Sequence, residues 1–338
     1  MLLEAFSLGK KFDHPEANED SFVAIPGAGY AVIDGVTDRN GTRYAGMLSG
    51  QFASRTIKRA TERFLIAQTD ADGAGELAFR GAEAFIAYLT EELRRAYVRE
   101  GVLDAVAADW KIRASCTVVA AIHVGERIEI VALGDSGIRI NGSDMLQVLK
   151  PLDDVTSLLR RETWRYFAAK GLAIADCDRL AAATTWRGTR HQPAGLETAD
   201  PAIIGEIEAR ALAACRERLP AIPEEELVHL IHHGIEHGQG DYQNVVGKAL
   251  GYGGLDGFAV PSRYVEARSY AAADVDTLEL FSDGYFEPGR GFGIEMWETS
   301  FREVEASDPH KIERYISTKG TTPTQLTDDR TYGGVRLK

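Results

Sequence analysis

Five short acidic clusters mark the sequence: Asn18-Glu19-Asp20-Ser21, Ile33-Asp34-Gly35, Gly134-Asp135-Ser136, Ser282-Asp283-Gly284 and Asp328-Asp329-Arg330-Thr331. Taken singly, each has the composition of a turn, because Asp, Asn, Ser and Gly bond their own backbone locally. Their positions say more. Asp34, Asp135 and Asp283 each close an apolar, strand-like run: YAVID, IVALGD and LELFSD. Buried strands that aim carboxylates at one rim are costly unless a cation neutralises them. Ligand sets made only of oxygen suit hard cations such as Mg²⁺ and Mn²⁺, which keep several waters in octahedral shells. Two such ions can hold a nucleophilic hydroxide and an incoming phosphate.

Other chemistry-bearing residues have weaker patterns. Cys116, Cys177 and Cys215 form no CxxC pair and no disulfide framework, and Cys116 sits in an apolar run as a small hydrophobe. No Ser or Cys is placed by sequence beside a base that would activate it. His229, His232, His233 and His237 recur at helical spacing, which fits either a metal site or a solvated helix face. Between Ser157 and His191, seven Lys and Arg face three acids, a local reversal in a chain whose 38 Lys and Arg against 51 Asp and Glu give a net charge of −13. That reversal reads as a solvated face or as a basic wall that steers anions. The overall acidity argues against a nucleic-acid binder and against attachment to an anionic membrane surface. No apolar segment approaches ~20 residues, and the N-terminus lacks the charge order of a secretory signal, so a soluble cytoplasmic protein is expected.

The elements that must position the carboxylates follow from periodicity. Alternating runs LEAFSL, SFVAI and YAVID read as strands. Amphipathic patterns predict helices over 44–68 and 76–99. CTVVAAIHV and RIEIVALG predict a hairpin turning at Gly125-Glu126. Residues 152–238 are helical in pattern and read as an insertion, since strands bracket them. TLELFSD is a strand, 295–305 and 310–316 are expected helices, and TYGGVRL is a closing strand. Tight turns between successive strands point to antiparallel sheets and an α+β layered sandwich. The chain is expected to be one domain over 1–338, with 152–238 inserted within it.

In order along the chain, these segments resemble the metal-dependent serine/threonine protein phosphatases of type 2C. NEDS resembles that family's opening acidic motif, and AVIDG its strand ending in Asp-Gly. ASCTVVAAI followed by VALGDS resembles its small-residue strand and Gly-Asp-Ser turn. NVVGKALG resembles a segment beyond the flap, LELFSDG the Ser-Asp-Gly motif, and DDRT the closing acidic motif. The resemblance implies two antiparallel β-sheets packed face to face between outer helix layers. It implies two Mg²⁺ or Mn²⁺ ions, with Asp34 bridging them, the Gly35 carbonyl on one, and Asp283 and Asp328 on the other. Glu19 and Asp20 would hold metal-bound waters, and Asp135 would serve a third, weaker ion. The implied reaction is hydrolysis of phosphoserine and phosphothreonine in proteins by a metal-bridging hydroxide. The implied partners are a phosphorylated protein and the kinase that opposes the enzyme. The alternatives are a phosphatase for a small phosphorylated molecule, or a degenerate phosphatase fold acting as a binding module.

The chain departs from that pattern at the phosphate clamp. The family's Arg, four residues before the Glu of the first motif, is replaced by Pro15. Lys10, Lys11, His14, Arg39 and Arg43 are candidates to stand in for it, although an ammonium is a poorer fork for phosphate than a guanidinium. The polar loop DGVTDRNGTRYAG replaces the family's glycines, and Val36 stands where many members carry a leaving-group His. Arg160, Arg161 and Arg165 in the insertion are further candidates for substrate binding.

Overall fold

The computed structural model describes residues 1–37, 40–69 and 75–338. The chain divides into two compact units. One comprises Met1–Leu149, Gly253–Glu303 and Asp328–Lys338, and the other Lys150–Tyr252 and Val304–Thr327. Among the described residues, no helix is long and apolar enough to cross a membrane.

The first unit holds the strands β1 (Leu2–Leu8), β2 (Ser21–Ile25), β3 (Gly29–Gly35), β4 (Arg43–Tyr44), β5 (Met47–Leu48), β6 (Cys116–Val124), β7 (Arg127–Leu133), β8 (Gly137–Ile140), β9 (Asp144–Gln147), β10 (Glu266–Ala271), β11 (Thr277–Phe281) and β12 (Arg330–Arg336). Its helices are α1 (Ser49–Gln68), α2 (Ala82–Arg99) and α3 (Leu103–Ala108). The other unit holds α4 (Pro151–Ala169), α5 (Ile174–Arg187), α6 (Pro201–Arg218) and α7 (Glu224–Tyr242). A last helix, α8 (Ile294–Ser307), begins in the first unit.

Two five-stranded antiparallel sheets form, in the orders β1-β12-β11-β8-β9 and β10-β7-β6-β3-β2. The period of two along each strand assigns its faces. Tyr30 and Val32 of β3 and Val119 and Ala121 of β6 pack against Ile138, Leu278, Leu280 and Val335 of the other sheet. The intervening Ala31, Ile33, Val118 and Ala120 pack against Phe52 and Ile57 of α1 and Phe85 and Leu89 of α2. On the outer face of the first sheet, Trp297 of α8 packs at a tilt against the rings of Phe281 and Tyr332. Beneath it, buried Glu279 accepts from Arg139, the Trp297 indole and the Tyr332 hydroxyl. The first unit is therefore an α-β-β-α sandwich, the α+β layering that the antiparallel pattern predicts and the two-sheet arrangement that the resemblance implies.

Three element expectations are corrected. The stretch 44–48 is strand, not helix: Ala45 and Gly46 take φ of 48° and 78°, which closes a small β4–β5 ribbon before α1 begins. The second helix starts at Ala82 instead of Glu76. Residues 310–316 form no helix. Buried Asp308 gathers the amides of Ile312, Glu313 and Tyr315 onto its carboxylate, and Lys311 takes a φ of 52°, so the chain wraps around one side chain.

The helical unit has its own core, with Leu159, Phe167, Leu180, Ile207, Leu230 and Ile231 at its centre and Trp164 packed against them.

Candidate active site

The row Tyr30, Val32, Asp34 on β3 shares one face by alternation, and its first two members lie between the sheets. Asp34 therefore enters the end of the inter-sheet gap. Opposite it on β6 is Thr117, whose hydroxyl lies 2.9 Å from that of Ser136. Gly35 must be glycine for a local reason: a Cβ there would sit 2.5 Å from the Gly50 carbonyl oxygen and 2.6 Å from that of Glu19. This close approach brings the NEDS segment and the start of α1 against the end of β3.

The other acidic clusters converge on the same end. The Asp34 carboxyl is held well above its ordinary pKa, first by burial and then by the charges of Asp283, Asp20, Asp328 and Asp135. Asp20 is pushed up to about 8, by burial and then by Asp329, with Asp283 adding to it. Both Asp20 carboxylate oxygens are buried without a hydrogen-bond partner of acceptable geometry, and the nearby Ser282 and Thr331 hydroxyls offset its shift only in part. Five of the acids singled out in the sequence (Asp20, Asp34, Asp135, Asp283 and Asp328) thus share one electrostatic neighbourhood. Glu19 joins them through a hydrogen-bonded chain. Its Oε2 accepts from the Thr37 hydroxyl at 2.7 Å and from Lys10 Nζ at 3.3 Å, and its amide donates to Asp329.

Lys10 is the residue whose role the sequence least discloses. It is only 5% exposed, yet its ammonium reaches Asp328 at 2.9 Å, Asp329 at 3.2 Å and Glu19 at 3.3 Å. Its amide also donates to Asp329 Oδ1 at 2.7 Å. Burial alone would lower its pKa, but the charges of Asp328, Asp329 and Glu19 more than reverse that, so it stays a cation. The sequence offered it, in the basic pair that follows β1, only as a candidate stand-in for the phosphate-clamping Arg.

The substrate candidates fare differently. Arg39 lies outside the described residues. Arg43 is exposed and donates to the Gly46 carbonyl in its own ribbon. Arg160 is buried at 2% exposure, with its guanidinium donating to the carbonyls of His310 and Lys311. It is thus a strut of the helical unit and not a surface cation. Arg161 pairs with Glu162, and Arg165 with Glu313. Sequence reasoning passed over three cations of α1. Arg55, Lys58 and Arg59 line a cavity of about 470 Å³ together with Asp20, Ser21 and Phe22. The signal was available in α1 itself, where helical spacing puts these cations opposite the apolar Ile57 and Phe64.

Two Mg²⁺ or Mn²⁺ ions, as the resemblance implies, would meet a fitting set of donors here. All are oxygens, Asp20 has two unsatisfied ones, and the surplus charge of the rim calls for divalent cations. Among the described residues, no three of these carboxylates bring ligand atoms within 4.8 Å of one another. Hard ions that retain waters do not need them so close. Cys116, beside the site on β6, is fully buried with its thiol pushed up by that burial, so it is no nucleophile.

No family model matches the chain, and no curated protein matches its sequence. Solved structures similar to it are bacterial serine/threonine phosphatases. The Mycobacterium tuberculosis serine/threonine phosphatase PstP/Ppp has 16% identity and a TM-score of 0.43, covering 100% of this chain and 98% of its own. The catalytic domain of PstP in complex with two manganese ions has 15% identity and a TM-score of 0.43, with coverages of 100% and 98%. Stp1 from Staphylococcus aureus has 12% identity and a TM-score of 0.42, with coverages of 100% and 96%. At this distance the likeness concerns chain path and assigns no residue its role.

Proposed function

We propose that the chain is a Mg²⁺- or Mn²⁺-dependent phosphomonoester hydrolase that removes phosphate from phosphoserine and phosphothreonine in proteins. The observation that carries this reading is the meeting of Asp20, Asp34, Asp135, Asp283 and Asp328 at one end of the inter-sheet gap, with Asp20 buried and unsatisfied. In this reading Asp34, the Gly35 carbonyl, Asp283 and Asp328 hold two ions. Glu19 and Asp20 hold the waters around them, and Asp135 serves a third. When bound, the ions supply positive charge for the phosphoryl oxygens and a water acidic enough to attack phosphorus in line.

The protein's own groups do the rest. Lys10 and Thr37 fix the orientation of Glu19, and Lys10 fixes Asp328. Arg55 and Arg59 provide a cationic wall beside Asp20 for a phosphorylated segment, while Lys58 in the same cavity is paired with Glu62. A water oxygen forms the new bond to phosphorus, and the serine or threonine oxygen departs with a proton. No covalent enzyme intermediate is needed. A protein kinase that installs the same phosphate is the opposing partner.

One observation favours a second reading. The Lys10 ammonium already neutralises part of the acidic cluster, as it would in a phosphatase fold turned binding module. Manganese-dependent hydrolysis of p-nitrophenyl phosphate separates the two. Turnover that needs Mn²⁺ supports the enzyme, and its absence at all metal concentrations supports the binding module. A phosphopeptide panel set against small phosphorylated metabolites then separates a protein phosphatase from a small-molecule one.

A further inference from the structure

In the helical unit, α7 breaks at Gly234, whose φ of 65° and ψ of −169° lie outside the helical region. The break follows from a close crossing. A Cβ at Gly234 would lie 2.3 Å from the Gly188 amide nitrogen, and one at Gly188 would lie 2.2 Å from the His232 carbonyl oxygen. The segment after α5 is stitched there by Thr189 N–H to the Ile231 carbonyl at 3.0 Å and Arg190 N–H to the His232 carbonyl at 3.1 Å. Glu208 holds the same segment through the Thr189 hydroxyl and the Arg190 guanidinium. The next residue, His191, is thereby laid against α7.

Its Nε2 lies 2.8 Å from His233 Nδ1, and its ring is nearly parallel to that of His237 at 5.0 Å between centroids. One nitrogen from each of His191, His233 and His237 falls within 4.8 Å of the others. The Nδ1 of His237 lies 3.3 Å from the His233 carbonyl, to which it can donate. His191 is exposed and the other two are half-buried, so an ion can reach them.

We infer that His191, His233 and His237 form a zinc site that clasps the segment after α5 to the broken helix α7. Imidazole selects borderline ions such as Zn²⁺ over Mg²⁺ and Mn²⁺. At Zn–N distances of about 2.0–2.1 Å, three tetrahedral ligand atoms stand roughly 3.3 Å apart, which small ring rotations of these side chains achieve. The ion replaces the His191–His233 contact, and water takes the remaining position. The site is independent of the carboxylate cluster, which offers only oxygens.

The test uses tag-free full-length chain. Zinc is titrated by equilibrium dialysis, and Co²⁺ reports tetrahedral geometry through its visible absorption. One tightly held Zn²⁺ per chain is expected, and it is retained in an Asp34→Ala/Asp283→Ala variant. His191→Gln and His237→Gln should each weaken it at least tenfold and abolish the cobalt band, while His14→Gln should change neither. His191→Gln alters an exposed side chain, so its unfolding midpoint in chelator should match the wild type. Unchanged zinc affinity in a His191→Gln/His237→Gln variant overturns the assignment. So does loss of the zinc on mutating Asp34 and Asp283, or the lack of any site tighter than millimolar.

Discussion

The Lys10 ammonium lies 2.9 Å from Asp328 Oδ1, while the Lys10 amide lies 2.7 Å from Oδ1 of the neighbouring Asp329. One residue just past the end of β1 thus grips both acids that precede β12, the partner of β1 in the sheet. The strand pairing Leu8↔Arg330 brings the two motifs together, and the side chain then spans the last few ångströms. Arg330 anchors the other side, with its guanidinium on Glu298 and over the Phe301 ring at 3.8 Å. The acidic tip between these anchors is held rigidly, as a metal site needs.

Replacing Lys10 by Met should therefore destabilise the metal-free protein. Removing one partner of a buried ion pair costs about 3–5 kcal/mol, because the other charges stay behind unpaired. The Lys10 pKa is raised, so its contribution is fully present at neutral pH and is lost only in strong alkali. Thermal unfolding in EDTA should show the loss. Added Mn²⁺ should recover more of the midpoint in the variant than it adds to the wild type. Equal midpoints in EDTA would mean that Lys10 is not the counter-ion of this cluster.

Asp34→Asn and Asp283→Asn should each lower turnover of p-nitrophenyl phosphate by on the order of a hundredfold or more. Neither should weaken the metal-free fold. The half-buried Asp34 carboxyl sits among like charges that, with desolvation, raise its pKa, so its ionised form opposes folding at neutral pH and losing that charge brings relief. Activity within a few-fold of wild type in both variants would remove these residues from the proposed centre.

Chelation should abolish activity, and Mn²⁺ or Mg²⁺ should restore it while Zn²⁺ does not. The proposed donors are all oxygens, and hydrated octahedral sites suit hard ions. Turnover that persists through exhaustive dialysis against EDTA would count decisively against a metal-dependent mechanism.

How far the sequence discloses this arrangement depends on the range of the interaction. The sandwich was legible because period-two alternation and tight turns are local, and β6 and β7 run as the pattern predicts, from Cys116 and from Arg127. Asp34, Asp135 and Asp283 were legible because each closes an apolar strand. Lys10 was not, since its partners Glu19, Asp328 and Asp329 meet it only through folding. Arg160 misled for the converse reason: a charged residue on an amphipathic helix reads as solvated, and the backbone carbonyls that bury it come from more than a hundred residues away. The segment 310–316 has helical periodicity but is captured by the single carboxylate of Asp308, which no periodicity reveals.

That carboxylate gives a pH prediction. Burial would raise the Asp308 pKa, but the amides of Tyr315, Ile312 and Glu313 outweigh it and hold the group below its ordinary value. A depressed carboxyl stabilises the fold above its unfolded pKa of about 3.9 and loses that contribution as pH falls through the lower folded value. Asp308→Ala leaves three amides without their acceptor and should cost roughly 3 kcal/mol at pH 7. The gap between variant and wild type should narrow in acid below about pH 4. A gap that stays constant from pH 7 to pH 2.5 would show that the carboxylate charge is not what holds this segment.

The last prediction concerns substrate choice. Arg160 is engaged inside the helical unit, and among the described residues the cations that share a cavity with Asp20 are those of α1. Arg55 and Arg59 lie one turn apart and line the cavity that Asp20 also lines, with Lys58 between them donating to the Phe22 carbonyl. Their charge acts through space on an extended anionic ligand and hardly at all on a small aryl phosphate seated at the carboxylates. Arg55→Glu/Arg59→Glu should therefore raise KM for phosphopeptides about tenfold at low salt, with the difference shrinking as ionic strength rises. Its kcat for p-nitrophenyl phosphate should stay within about twofold of wild type. Arg160→Glu should instead lose both activities together through unfolding, since it places a carboxylate among the carbonyls of His310, Lys311 and Ser317. If the α1 variant treats phosphopeptide and aryl phosphate alike, the wall of α1 has no part in recognition, and the binding surface lies elsewhere on the protein.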